Sequence, residues 1–406
     1  MINNDNIKIN IPNNPKFILD TLEKNGFEAY IVGGCVRDQL LGKKASDFDI
    51  TTNAKPEVVK SLFKRTIDTG IKHGTVTIVI KDHDTGDFLN YEVTTFRVEG
   101  AYKDGRHPEK VEFVTDLDED LSRRDFTINA LAYNEKVGLV DRFDGLNDLN
   151  NKIIRAVGNP IDRYNEDALR ILRSIRFAAK LSFDIEQNTL NAIKECKENL
   201  SKISKERIQI ELTKTLISDN PDYIKYIFDY GLDKYIAKSF SYIRYNKLIK
   251  TDDIVLAYSS LLYNNIDICY DVLKELKIDN DTIKNTEHIL KHKNDFIKSI
   301  SKQNDVNTEK YLLKKIIFDI GYDNIYKLLT LVSFKERIDL NDDLNIINDI
   351  KNNNEAIFIS DLDIDGNDII SLGKSGKEVG DVLNRLLDVV HKNPMLNNKN
   401  SLLKMI

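Results

Sequence analysis

The chain of 406 residues exceeds one ordinary domain and predicts two to four. With 41% hydrophobic and 31% charged residues, no apolar run of membrane-span length and a polar opening from Met1 to Asn14 that is no signal peptide, it reads as a soluble globular protein. The scattered Cys35, Cys196 and Cys269 form neither a metal box nor a disulfide frame, which fits a cytoplasmic protein; the net charge of -6 confines any nucleic-acid contact to a local basic patch.

Pro15 to Asn25 predicts a helix with Phe17, Ile18, Leu19 and Leu22 as its core stripe and Gly26 as its C-cap. Tyr30-Ile31-Val32 is a strand. Gly33-Gly34 then turns the chain into a short helix, Val36 to Leu41, ended by Gly42 with Lys43 and Lys44. Helix N-termini after glycine turns hold phosphates with their unpaired N–H groups, and Arg37 adds a charged fork one turn in. Ser46 to Ile50 predicts a second strand, with Asp47 and Asp49 on one face and Phe48 and Ile50 toward the core. Two carboxylates about 7 Å apart along a strand can share hard divalent cations such as Mg²⁺, which clamp the oxygens of an in-line phosphoryl displacement. An isolated D-x-D often only solvates a loop; G-G-x-V-R-D followed by D-x-D is far more specific. Gly33-Gly34-Cys35-Val36-Arg37-Asp38 with Asp47-Phe48-Asp49 resembles the class II branch of the tRNA nucleotidyltransferases, in the DNA polymerase β-like superfamily, which includes CCA-adding, CC-adding and A-adding enzymes and bacterial poly(A) polymerases.

Pro56 to Phe63 predicts another short helix, and Thr75 to Ile80 with Phe88 to Thr95 a hairpin whose tip carries His83-Asp84 as solvated residues. Glu92, on a strand predicted beside the aspartates, reads either as a third acid near the metal or as a structural edge-strand glutamate. Val98 to Lys110 is a long polar loop, and Asp104, Arg106, His107 and Pro108 resemble the flexible loop of CCA-adding enzymes. Arg123-Arg124-Asp125 precedes an apolar stretch, Phe126 to Tyr133, predicted as a helix; the run matches the family's RRD-[FL]-T-I-N-A. Arg124 at such a helix start can reach a triphosphate, and Asn129 a sugar. The turn-rich stretch Val140 to Asp148 marks the end of the head.

Asn165 to Phe183 predicts one helix with Ala168, Ile171, Leu172, Ile175, Ala178 and Ala179 on its core side. Arg170, Arg173 and Arg176 share the other side with Glu166, and Asp167 lies at its edge, one turn from Arg170. Ordinary surface helices also place arginines there. The pair Asp167 and Arg170 is more telling, because a carboxylate only accepts and a guanidinium only donates. Cytosine and adenine each present an amino donor beside a ring-nitrogen acceptor, whereas uracil and guanine present the reverse. The pair therefore complements C and A and repels U and G, while Arg173 and Arg176 can neutralise a triphosphate. Glu166-Asp167-Ala168-Leu169-Arg170 matches the family's EDxxR motif, which is described in this role.

From Ser201 the pattern is helical, and Ser204 to Ile217 resembles the family stretch after that helix. His288 and His292, one turn apart without a third ligand, read as an exposed helix face. Near the end, Gly373, Gly376 and Gly380 surround Lys374, Ser375 and Lys377, which suit an RNA backbone and resemble the tRNA-docking tail of bacterial class II enzymes.

The resemblance implies an α+β fold: a small mixed β-sheet head (1–145), then an all-α neck (146–203), body (204–355) and tail (356–406). It implies a Mg²⁺-dependent enzyme that adds the 3′-terminal CCA to tRNA from CTP and ATP without a nucleic-acid template, releasing pyrophosphate. CC-addition, A-addition and poly(A) synthesis stay open. Asp47 and Asp49 are then the catalytic metal ligands; Gly34, Arg37, Arg124, Arg173 and Arg176 hold the nucleotide; Asp167 and Arg170 read its base. An RNA-binding module with a dead site is the reading from another class, and these intact residues oppose it. Oligomeric state is not legible in the sequence.

Overall fold

The computed structural model describes residues 7–45, 47–82, 86–99, 111–300 and 305–406. The chain divides into two compact units, one ending at Lys238 and the other starting at Ser239. The expectations for Ser46, for His83-Asp84 and for Asp104, Arg106, His107 and Pro108 lie outside the described residues.

The first unit is built on a mixed sheet. Its strands are β1 (Ala29–Val32), β2 (Ile50–Thr52), β3 (Thr66–Gly70), β4 (Thr75–Lys81) and β5 (Phe88–Thr95); a separate ribbon follows, β6 (Arg97–Glu99) with β7 (Val111–Phe113); then come β8 (Leu131–Asn134) and β9 (Gly138–Asp141). The order in the sheet is β3-β4-β5-β2-β1-β8-β9. β2 and β5 run parallel and the other neighbours antiparallel. The predicted hairpin is therefore present as β4 and β5, and it places Glu92 on the strand next to β2.

The first helix runs from Asn13 to Lys24 and buries Pro15, Ile18, Leu19 and Leu22. Phe17 does not join that stripe: it is 55% exposed, resting edge-on against Phe63 at 6.2 Å. Tyr30, Val32, Phe96, Leu121, Ala130 and Ala132 form a shared core.

Two sequence expectations need correction. Phe126 to Tyr133 is not a helix; Thr127–Asn129 is a single 3₁₀ turn and Leu131–Asn134 is β8, inserted between β1 and β9. A short, mostly apolar run has no clear period to tell a buried strand from a buried helix, and here two flanking strands satisfy its backbone. Arg124 accordingly follows a helix, Leu117–Ser122, instead of starting one. Likewise, Asn165 to Phe183 is two helices, Pro160–Glu166 and Leu169–Leu181, with Asp167 extended between them at φ -140° and ψ 102°. Asp167 Oδ1 accepts from the Leu169 N–H at 3.0 Å, so its short side chain supplies the partner that the new helix start lacks.

Leu169–Leu181 packs on Lys205–Leu216, burying Ile171, Leu172, Ile175, Ala178 and Ala179 as its period predicts. The second unit is helical, and its longest helical run, Val306–Glu336, is broken at Gly321 (φ 78°). His288 and His292 stand on Asn280–Ser299, and no three-ligand metal group occurs among the described residues. Lys374, Ser375 and Lys377 lie just ahead of and at the start of Lys377–Lys392, with Ser375 and Lys377 exposed. Among the described residues, no helix is long and apolar enough to cross a membrane.

Candidate active site

Gly33 leaves β1 with φ 75° and ψ -122°, a conformation suited to glycine, and the next residue opens the helix Gly34–Leu40. A side chain at Gly33 would also crowd Arg124, whose Nη1 lies 3.2 Å from the place of a Cβ. The bare glycine thus lets Arg124 lie across the turn.

Asp47 and Asp49 stand just ahead of β2 rather than within it, and the backbone is already paired there: Asp49 O accepts from Val32 N at 3.0 Å. The expected alternation holds, with Phe48 and Ile50 buried and both aspartates exposed. Because Ile50 pairs with Val93 across parallel strands, Asp49 and Glu92 occupy adjacent positions one step earlier. Surrounding protein desolvates the Asp49 carboxyl and raises its pKa; Arg124 opposes that rise and Asp47 adds to it. Burial also raises Glu92, and Asp49 adds to the effect. Asp47 and Asp49 offer carboxylate oxygens of the kind a hard divalent ion takes, and Glu92 lies near enough to feel the charge of Asp49, but the three do not form a ready-made metal-ligand group.

Arg37 is 3% exposed, paired with Asp38 at 2.6 Å and donating to Asn129 Oδ1. Asn129 in turn donates to Asp125 Oδ1 at 2.9 Å, and Arg173 donates twice to Asp125 Oδ2. Burial works to raise the Asp125 carboxyl, but Arg173 and the Asn129 hydrogen bond hold it down at about 2. Arg176 makes its ion pair with Glu211 at 2.8 Å; burial lowers its pKa against the pull of that carboxylate.

The side chains of Asp167 and Arg170 are not bonded to one another, although the Arg170 backbone N–H donates to Asp167 O at 2.9 Å. Asp167 Oδ2 accepts from Arg207 at 2.7 Å, while Arg170 Nη1 pairs with Glu166 at 2.6 Å and Nη2 donates to Arg123 O at 2.9 Å. That last bond is what brings the helix to the first half of the site. It fixes Arg170 on the residue before Arg124, and Arg124 reaches both the Gly33 turn and the field of Asp49. Arg124 is itself anchored by Asp120, which is wholly buried and also binds Arg123 and Thr51.

Residue-by-residue reading passed over Asp120, Arg207, Glu211 and Phe177. A glutamate amid the apolar residues of Ser204 to Ile217 signals a buried acid in need of a cation, but which cation is a matter of packing. Lys374, Ser375 and Lys377 belong to the second unit and are not among the residues gathered here.

A family described as the poly A polymerase head domain matches residues 29–155, and a second, described as a probable RNA and SrmB-binding site of polymerase A, matches 182–243. A CCA-adding enzyme of Ligilactobacillus salivarius is 39% identical over 408 residues, covering 97% of this chain and 96% of the relative. One of Pediococcus pentosaceus is 38% identical over 407 residues, covering 96% of each. The crystal structure of the Bacillus stearothermophilus CCA-adding enzyme in complex with CTP superposes with a TM-score of 0.80 at 29% identity over 96% of both chains. With its paired acids, its arginine network and this likeness along nearly its whole length, the chain belongs to the CCA-adding enzymes.

Proposed function

We infer that the protein adds the 3′-terminal CCA to tRNA from CTP and ATP, without a nucleic-acid template. The primer 3′-hydroxyl oxygen forms a bond to the α-phosphorus of the nucleotide, the bond to the β-phosphate bridge breaks, and pyrophosphate leaves. The observation that carries this reading is that Arg124, whose charge acts on Asp49, directly follows Arg123, whose carbonyl accepts from Arg170. It ties a carboxylate pair suited to phosphoryl transfer to a donor and an acceptor suited to choosing a base.

On this reading Asp47 and Asp49 are the catalytic acids and would hold Mg²⁺, with Glu92 beside them as the third acid. When bound, the metal supplies charge neutralisation at the attacking and leaving oxygens. The N-terminal amides of Gly34–Leu40 and the guanidiniums of Arg37, Arg124, Arg173 and Arg176 bind the triphosphate. Asp167 accepts from the amino group that C and A share, and Arg170 donates to the ring nitrogen beside it. Each must turn from its present partner, Arg207 or Glu166, and those partners keep both side chains ordered meanwhile. Lys374, Ser375 and Lys377 meet the RNA backbone in the tail. The four-part division into head, neck, body and tail and a cytoplasmic location belong to the same proposal.

Stepwise extension of three tRNAs, ending before the CCA, after the first C and after the second C, tests it. Labelled CTP and ATP are expected to complete each end and stop. No incorporation from CTP overturns CCA addition, and unending incorporation of ATP marks a poly(A) polymerase.

A further inference from the structure

We propose that Phe177 is a positioning residue of the nucleotide site: its ring gathers the guanidiniums of Arg37, Arg173 and Arg176 and presents them together to the triphosphate. The proposal rests on the nucleotide-binding reading above.

Phe177 is 6% exposed on the helix Leu169–Leu181. The Cζ atoms of Arg176, Arg37 and Arg173 lie over its ring at 4.2, 5.1 and 5.4 Å from the centroid. Two of these arginines come from the same helix as Phe177, and Arg37 comes from Gly34–Leu40, the helix that opens at the glycine turn. The ring is held from a further side by Phe126, edge-on at 5.7 Å and 77°. Phe126 directly follows Asp125, the acceptor of Arg173. One buried ring therefore touches the helix after the glycine turn, the segment that follows Asp125 and two arginines of its own helix.

Three guanidiniums this close repel one another, and each has a carboxylate beside it: Asp38 for Arg37, Asp125 for Arg173 and Glu211 for Arg176. Those carboxylates compete with an incoming phosphate for the same N–H donors. An aromatic face does not. It attracts a cation through its quadrupole without offering a lone pair, and it does so more strongly where water is excluded. The arginines can hand their donors to a triphosphate and keep the ring as their common support. A phenylalanine that merely filled core volume would be replaceable by another apolar residue of similar size.

The experiment is steady-state incorporation of CTP and of ATP into tRNA lacking CCA by the full-length wild type, Phe177→Leu and Phe177→Tyr, with thermal melts of each. Leucine keeps the apolar bulk and loses the ring; tyrosine keeps the ring. Phe177→Leu is expected to raise the KM for both nucleotides about tenfold with kcat within about threefold, the loss of a desolvated cation–π contact. The KM for tRNA should hold, and Phe177→Tyr should stay within about twofold of wild type. A wild-type nucleotide KM in Phe177→Leu overturns the proposal, as does equal impairment of Phe177→Tyr, which would make the ring a matter of packing alone. Should Phe177→Leu fail to melt cooperatively, Phe177→Met takes its place with the same two outcomes. A wild-type protein that never incorporates CTP overturns the nucleotidyltransferase reading itself; an active wild type with an unaffected leucine variant overturns only the role of Phe177.

Discussion

Arg173 donates both Nε and Nη2 to one carboxylate oxygen of Asp125, at 2.9 and 2.6 Å. Asp125 closes the segment behind Leu117–Ser122, and Arg173 stands within Leu169–Leu181, so this contact joins the sheet-bearing part of the first unit to the helix that carries Arg170 and begins just after Asp167. With Asp125 8% exposed, the pair sits where an unpartnered charge is costly.

Replacing Asp125 by Asn leaves the half-buried Arg173 with only Glu211, at 4.0 Å, as a counter-charge. The expected loss is about 2 kcal/mol of unfolding free energy, read by urea denaturation at neutral pH. The pH dependence follows from the depressed carboxyl, about 2 in the folded protein against an ordinary 3.8. A lowered folded-state value means that the stabilisation is fully present above pH 3.8 and fades as pH falls toward 2. Wild type should therefore lose stability over that interval faster than Asp125→Asn, and parallel acid profiles would show that the pair does not contribute as argued.

Asp47→Ala and Asp49→Asn should behave in the opposite manner. Their carboxylates stand exposed and disfavour one another's charge, so removing either should leave the melting temperature unchanged or slightly raised. On the function proposed above, nucleotide incorporation should fall by about a thousandfold or more, since a carboxylate proposed to hold the metal is gone. Retained turnover in Asp47→Ala would remove the acid pair from the reaction.

Gly145 bears on the turn that presents Asn129. A Cβ there would lie 2.3 Å from the carbonyl oxygen of Thr127, and backbone on backbone leaves no side chain to give way. Gly145→Ala is expected to cost about 2 kcal/mol or more and to weaken nucleotide binding by shifting Asn129 from Arg37. Thermal melting and CTP binding should change together.

In the second unit, Lys314 is 1% exposed and pairs with Glu355 at 2.6 Å. Burial lowers the pKa of Lys314 despite that partner, whereas Lys310 and Lys314 together hold Glu355 down against its own burial. Glu355→Gln should destabilise the protein by about 3 kcal/mol, because it strands the buried ammonium. The double variant Lys314→Met with Glu355→Leu should restore most of that loss, since desolvating two charges offsets much of their attraction. Denaturant melts of the single and double variants decide between the two costs.

How far the chain could be read without its fold is visible in particular residues. The glycine turn at Gly33-Gly34, the alternation of Asp47 and Asp49 with Phe48 and Ile50, the β4–β5 hairpin and the apolar face from Ile171 to Ala179 were all legible, because each depends on residues close by in the chain. The run Leu131–Asn134 became a strand only because β1 and β9 lie on either side of it. The distant partners of Asp167 and Arg170, Arg207 and the Arg123 carbonyl, lie 40 and 47 positions away. Residue types and periods determined which groups could do the chemistry; the tertiary structure decided which of them meet, because a buried charge takes its partner from whatever packing brings within hydrogen-bond reach, however distant in the chain.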